Sequence, residues 1–116
     1  MEWKFDSKRP IYTQLVEQMR TRIVTGEYPP GSKLSSVRNL AEEAGVNPNT
    51  MQRALAALED SGMLYTHRTS GRFVTEDKEL IRSERRRLAE EKIRLFTEEM
   101  KLLDFTKEEI LGLLEG

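Results

Sequence analysis

Residues 31–62, GSKLSSVRNLAEEAGVNPNTMQRALAALEDSG, decide the fold. Ser35 and Ser36 precede an apolar stripe, Val37, Leu40, Ala41 and Ala44, spaced i, i+3, i+4, i+7. That spacing is one face of a helix, and either serine hydroxyl can accept the unpaired N–H groups of its first turn. Gly45 ends this helix, because glycine enters the left-handed conformation of a helix terminus without a Cβ penalty. Asn47 then caps a second helix with Pro48 at its first position, where a missing N–H costs nothing. Met51, Ala54, Leu55 and Leu58 form its buried stripe, and Gly62 closes it. Two short helices about a glycine-containing turn of roughly four residues are the pattern of a helix-turn-helix.

Upstream, Pro10 suits the first position of another helix, in which Ile11, Leu15, Met19 and Ile23 recur every fourth residue with Tyr12 and Val16 beside them. Gly26 stops it, and Tyr28-Pro29-Pro30-Gly31 reads as a turn. Downstream, Leu64–His67 and Arg72–Thr75 read as strands joined by the loop Arg68–Gly71. A two-stranded hairpin is marginal alone, so it is expected to pack on the helices. A long helix is predicted from about Asp77 to about Leu103. Ala89, Ile93, Phe96, Met100 and Leu103 step by 4, 3, 4, 3 along it, a heptad-like seam that Leu88, Leu95 and Leu102 widen. Thr106 with Glu109 makes a capping box that opens a last helix carrying Ile110, Leu111, Leu113 and Leu114. The expected fold is mainly α with a small β-hairpin: a winged helix-turn-helix in residues 1–76, then a C-terminal helical hairpin in residues 77–116.

Composition sets limits on function. The 116 residues allow one compact domain with a small appendage. No cysteine is present and His67 is the single histidine, which excludes thiolate and multi-histidine metal sites and leaves no catalytic residues or cofactor to propose. No nucleotide-binding or metalloprotease motif occurs, so no enzymatic activity is expected. No apolar run approaches the ~18 residues of a membrane span, and no signal peptide is evident, so the cytoplasm is the expected compartment and no membrane partner is expected. The net charge of −1 is uninformative. Residues 1–76 carry 10 basic and 9 acidic side chains and residues 77–116 carry 9 and 11, so neither part is a basic tail.

Distribution says more. On a helical wheel of about 100° per residue, Asn49, Gln52, Arg53 and Ala56 face away from the apolar stripe, with Thr50 at the flank. Arginine matches guanine O6 and N7, and Asn or Gln matches adenine N6 and N7, in the DNA major groove. No acid lies on that face before Glu59. The hairpin tip, His67, Arg68, Thr69, Ser70, Gly71 and Arg72, is basic, hydroxyl-rich and free of acids, which suits phosphates or a minor groove. Lys33, Ser36 and Arg38, near the start of the helix that Ser36 can cap, together with Asn47 complete the candidate DNA-binding set.

Several segments together resemble the GntR family of bacterial repressors. They are Pro10-Ile11-Tyr12-x-Gln14-Leu15, the stretch Gly31–Ala41, Gly45-Val46-Asn47-Pro48-Asn49-Thr50-Met51-Gln52-Arg53-Ala54-Leu55, then Leu58-Glu59-x-x-Gly62-Met63-Leu64 and Gly71-Arg72-Phe73-Val74. The similarity covers about residues 9–75, and the short helical end resembles the YtrA subfamily. It implies a homodimer that represses transcription from a palindromic double-stranded DNA operator. Recognition helix 48–60 would enter the major groove, and wing 67–72 would meet the minor groove or phosphates. It also implies Arg38, the Asn49–Arg53 face and the surroundings of Gly71 as contacts. Ser35 departs from the family's usual proline, and Asn47 and Asn49 stand where arginine is frequent.

A dimer also follows from size, since a chain this small reaches few phosphates alone, whereas two copies reach half-sites about 34–36 Å apart. Leu88, Ala89, Ile93, Leu95, Phe96, Met100, Leu103, Ile110, Leu111 and Leu114 are the candidate dimer interface, since exposed apolar surface of this kind marks an interface. The alternative is a protein-interaction module that uses the winged helix without DNA, which would lack the salt dependence that counterion release imposes. An unidentified small-molecule effector stays open as a further partner: the forty-residue end offers little room for an enclosed pocket, a dimer interface could hold a ligand, and the sequence positions none.

Overall fold

The computed structural model describes residues 2–116. Their element order is α1 (Ile11–Val24), α2 (Val37–Ala44), α3 (Pro48–Asp60), β1 (Leu64–His67), β2 (Gly71–Val74), α4 (Lys78–Leu102) and α5 (Lys107–Glu115). The chain divides into two compact units, Met1–Arg85 and Arg86–Gly116. The sequence suggests a division after residue 76. The first unit runs further because Leu80 and Ile81, in the first turn of α4, pack against its core.

Caps determine where the helices of the first unit begin and end. Ser36 Oγ accepts the Asn39 N–H at 3.2 Å, so the second of the two candidate serines caps α2. Gly45 adopts φ +69°, and its N–H and that of Val46 close on the Glu42 and Ala41 carbonyls. The left-handed geometry admits glycine at low cost and turns the chain straight into α3. Asn47 Oδ1 accepts the Asn49 N–H at 2.7 Å, with Pro48 opening the helix. Pro10 is itself the cap residue of α1, at ψ 138°, rather than its first helical residue. Its carbonyl already accepts the Gln14 N–H, so the helix begins one residue later than the proline suggests.

The core lies between α1, α2, α3 and the base of the hairpin. Leu15, Met19 and Ile23 of α1, Leu40 and Ala41 of α2, and Met51, Ala54, Leu55 and Leu58 of α3 form one cluster with Met63, Leu64 and Val74. Each large side chain buried there contributes about 1.5–3 kcal/mol. Ile11, at the start of the α1 stripe, is exposed.

The hairpin pairs Leu64 with Val74, Tyr65 with Phe73, Thr66 with Arg72 and His67 with Gly71. Its second strand is Gly71–Val74, one residue earlier than the sequence suggests, because Thr75 turns its N–H to the Met63 carbonyl. Residues 31–34 add a third, strand-like edge: Gly31 N–H donates to Val74 O, Val74 N–H to Ser32 O and Leu34 N–H to Arg72 O, each at 2.9 Å. The hairpin is thus anchored by backbone on both sides of β2.

A segment before α1 is held by two glutamines. Gln14, only 2% exposed, accepts the Asp6 N–H and donates to the Asp6 and Arg9 carbonyls, while Gln18 exchanges bonds with both backbone groups of Lys4. Buried amides of this kind replace the water that a loop backbone would otherwise need. The guanidinium carbon of buried Arg22, which also pairs with Glu27, lies 3.7 Å from the centroid of the Trp3 ring. Arg20 of α1 pairs with Glu84 of α4 at 2.9 Å, fixing the start of α4 on this unit.

In the second unit, the rest of α4 and α5 form a helical hairpin. Asp104 takes φ 68° at the helix end, with the Phe105 N–H returning to Met100 O. Thr106 and Glu109 form the expected capping box. Among the described residues of this unit, Ile110 is the one buried side chain.

Candidate nucleic-acid interface

The outer face of α3 is set by the inner one. Met51, Ala54, Leu55 and Leu58 are buried, so the 3.6-residue repeat turns Asn49, Gln52, Arg53 and Ala56 outward, all of them exposed. Thr50 is half-buried at the flank. The Asn47 carboxamide oxygen is committed to the cap, where it accepts the Asn49 backbone N–H. Arg53 projects across the ring of Tyr12 on α1, its guanidinium carbon 4.5 Å from the ring centroid. A cation over an aromatic face gains about 0.5–1 kcal/mol at exposed sites. Here the contact also restricts a side chain that would otherwise wander.

A second group gathers where the start of α2 faces the hairpin. Lys33, Ser36, Thr66, Ser70, Gly71 and Arg72 line an open cleft of about 670 Å³. The Ser36 hydroxyl accepts from the helix, which leaves its proton to donate outward. Lys33, Ser36, Arg38, His67, Arg68, Thr69 and Gly71 are exposed, and Ser70 is half-buried. Neither Arg38 nor Arg68 forms an ion pair among the described residues, so Arg38 does not take up the Glu42 pairing that helical spacing allows. His67 is a strand residue whose ring stands edge-on to Phe73, 6.3 Å away, and Phe73 in turn stacks on Tyr65.

Arg72 differs from its neighbours. Its Nε donates to Glu59 near the end of α3, and Thr66 Oγ1 donates to the other carboxylate oxygen at 2.9 Å. Burial pushes the Glu59 carboxyl up, but the bonds from Arg72 and Thr66 outweigh it and hold the group below the usual carboxylate range. It is therefore ionised at neutral pH, and its charge is met by the guanidinium. The Glu59 charge at the edge of this surface is thus neutralised from the wing side.

Two of the arginines early in α4 are engaged elsewhere. Arg82 pairs with Glu79 at 2.6 Å and Arg86 with Glu90 at 3.8 Å, which favours a solvated, self-paired surface over phosphate contact. Among the described residues no helix is long and apolar enough to cross a membrane, and no cluster of His, Asp or Glu could hold a metal ion.

Comparison with known proteins shows the family and the fold. Residues 11–74 match the family described as bacterial regulatory proteins, gntR family. An HTH-type transcriptional regulator of Bacillus subtilis, YhcF, is 40% identical over 111 residues, 96% of this chain and 92% of that protein. The HTH-type transcriptional repressor YtrA of the same organism is 36% identical over 97 residues, 84% of this chain and 70% of its own. A solved GntR family transcriptional regulator from Listeria monocytogenes superposes with a TM-score of 0.88 at 43% identity, covering 96% of this chain and 97% of that one.

Proposed function

The chain belongs to the GntR family, whose members are DNA-binding transcriptional regulators and not enzymes, and from that premise we propose that it is a cytoplasmic homodimeric repressor of an inverted-repeat operator. That membership sets aside a winged helix that serves only protein partners. The observation that carries the proposal is the exposed face of the first turns of α3, Asn49, Gln52 and Arg53, which carries no acid before Glu59 and lies beside the basic tip of the hairpin. The α3 face reads base edges in the major groove. Arg68, Thr69, Ser70 and Gly71 meet the backbone or the minor groove, with His67 at the base of that tip. Lys33, Ser36 and Arg38 grip phosphate, and Thr50 and Asn47 support the entry of the helix. Repression is favoured by the likeness to YtrA, which is named a repressor.

Pairing is supported by the second unit. Ile93, Phe96, Leu103 and Leu114 are exposed in a single copy, and an apolar groove of about 570 Å³ runs between α4 and α5. Ile110 and Leu111 line that groove, with Ile110 buried at its floor, and Leu88, Ala89, Leu95 and Met100 of α4 complete the proposed interface. A second copy is the partner proposed for it.

The test is selection from random duplex DNA by the purified chain. Enrichment of an inverted repeat with half-sites about one turn apart is the expected result. Failure to enrich any sequence would overturn the operator assignment. On the winning duplex, Arg68→Ala is expected to weaken binding. It should also lower the slope of log affinity against log salt by about 0.9 for each phosphate that Arg68 neutralises. An unchanged slope would remove Arg68 from the phosphate-binding set.

A further inference from the structure

We propose that Arg72 is a positioning residue rather than a phosphate ligand: with Thr66 it clamps the Glu59 carboxylate and latches the wing to the end of α3. The proposal rests on the assignment of the wing to DNA made above. Its basis is the arrangement of three side chains. Thr66 and Arg72 are direct partners in the β1–β2 register, so both project from one face of the ribbon. Glu59 reaches that face from α3 and takes one bond from each strand, Thr66 on one oxygen and Arg72 on the other. One carboxylate therefore ties both strands to the helix that carries the candidate base contacts.

The ribbon needs such a tie. Its strands are four residues each, and two strands of that length are marginal in water without further packing. Backbone bonds from residues 31–34 hold one edge of β2. That pairing does not involve α3. Leu64 and Val74 pack the base of the hairpin into the core, and the Glu59 clamp ties the ribbon to α3 further towards its tip. Arg72 and Glu59 are only 21% and 29% exposed, so the pair is screened less than a surface ion pair. Arg68, Thr69 and Ser70 lie beyond the clamp, in the turn, and would reach DNA in an orientation that the clamp sets. A guanidinium bonded to a carboxylate is turned away from phosphate, so its loss should remove no phosphate contact and leave the number of counterions released on binding almost unchanged.

The test measures fluorescence anisotropy of the wild-type-selected duplex across a salt series, with amide hydrogen exchange on the free protein. Glu59→Gln and Arg72→Gln are each expected to weaken binding roughly fivefold. Their salt slopes should equal that of the wild type, and the double variant should bind no more weakly than the weaker single. Exchange across residues 64–74 should quicken in both without DNA. Thr66→Val, which spares the ion pair, should give a smaller effect of the same kind and serves if either charge variant fails to fold. A phosphate ligand would behave oppositely. Arg72→Gln would then lower the slope by about 0.9 per half-site, and Glu59→Gln, which removes an acid, would bind as tightly as wild type or tighter. That pair of results overturns the latch alone if Arg68→Ala still lowers the slope. A chain in which Arg68→Ala and Glu59→Gln both leave affinity and slope unchanged would instead show that the wing does not meet DNA, and the positioning role would fall with it.

Discussion

A Phe96→Asp chain is expected to be monomeric and to bind the selected duplex at least about a hundredfold more weakly than the wild type. Phe96 is 42% exposed in one copy, with Ile93 and Leu114 at 63% and 70%, in a unit that buries Ile110 alone among its described residues. So much apolar surface has little intrachain cover, and pairing would remove it from water. An aspartate at the centre of that surface would have to shed its hydration, at an effective cost of several kcal/mol per ion, and a two-fold dimer incurs it twice. The effect on DNA then follows from linkage. Two joined winged helices engage the second half-site at an effective concentration set by the dimer, a gain of about 10²–10⁴ over one alone. Phe96 is absent from the core of the first unit, so recognition by a single copy should survive at the half-site level. Light scattering reads the mass and anisotropy the affinity. An intact dimer would place the interface elsewhere. A monomer that binds as tightly as wild type would mean that the operator is read by single copies.

The features legible in the sequence are those with local causes. A cap is a contact across two or three residues, so Ser36, Asn47 and the Thr106–Glu109 box can be read from adjacent letters, and so can the buried stripes that aim Asn49, Gln52 and Arg53 outward. The misplacements of one residue at Pro10 and at the start of β2 arise because a proline cap and a turning N–H depend on ψ and on a distant carbonyl. What escaped were pairings between distant positions, which no periodicity announces. Glu59 and Arg72 lie 13 residues apart, and Arg20 and Glu84 lie 64 apart. Gln14 was visible only as part of a motif, while its role in holding the backbone of residues 6–9 depends on the path that segment takes over α1. Leu80 and Ile81 precede the heptad seam, so their docking on the first unit carried no periodic signal and displaced the division between units.

Arg53→Ala is expected to cost about 1–3 kcal/mol per half-site and to relax the base preference at one position in each. The structure gives the reason to single out this side chain from the α3 face. It is exposed, forms no ion pair among the described residues, and is steered by the Tyr12 ring 4.5 Å from its guanidinium carbon. A guanidinium held in this way reaches a guanine edge with less rotamer entropy to lose, which favours a two-bond contact over a loose phosphate contact. Lysine separates the two roles. Arg53→Lys keeps the charge but removes the planar fork, so a base contact predicts loss of preference with an almost unchanged salt slope. A phosphate contact predicts near-wild-type affinity in the lysine variant and a lower slope in the alanine one. Tyr12→Leu should follow Arg53→Lys in direction and remain smaller, because it removes the steering and leaves the donors. If Arg53→Ala leaves both affinity and preference unchanged, α3 does not present Arg53 to the bases, and Asn49 and Gln52 would have to carry the sequence discrimination assigned to this face.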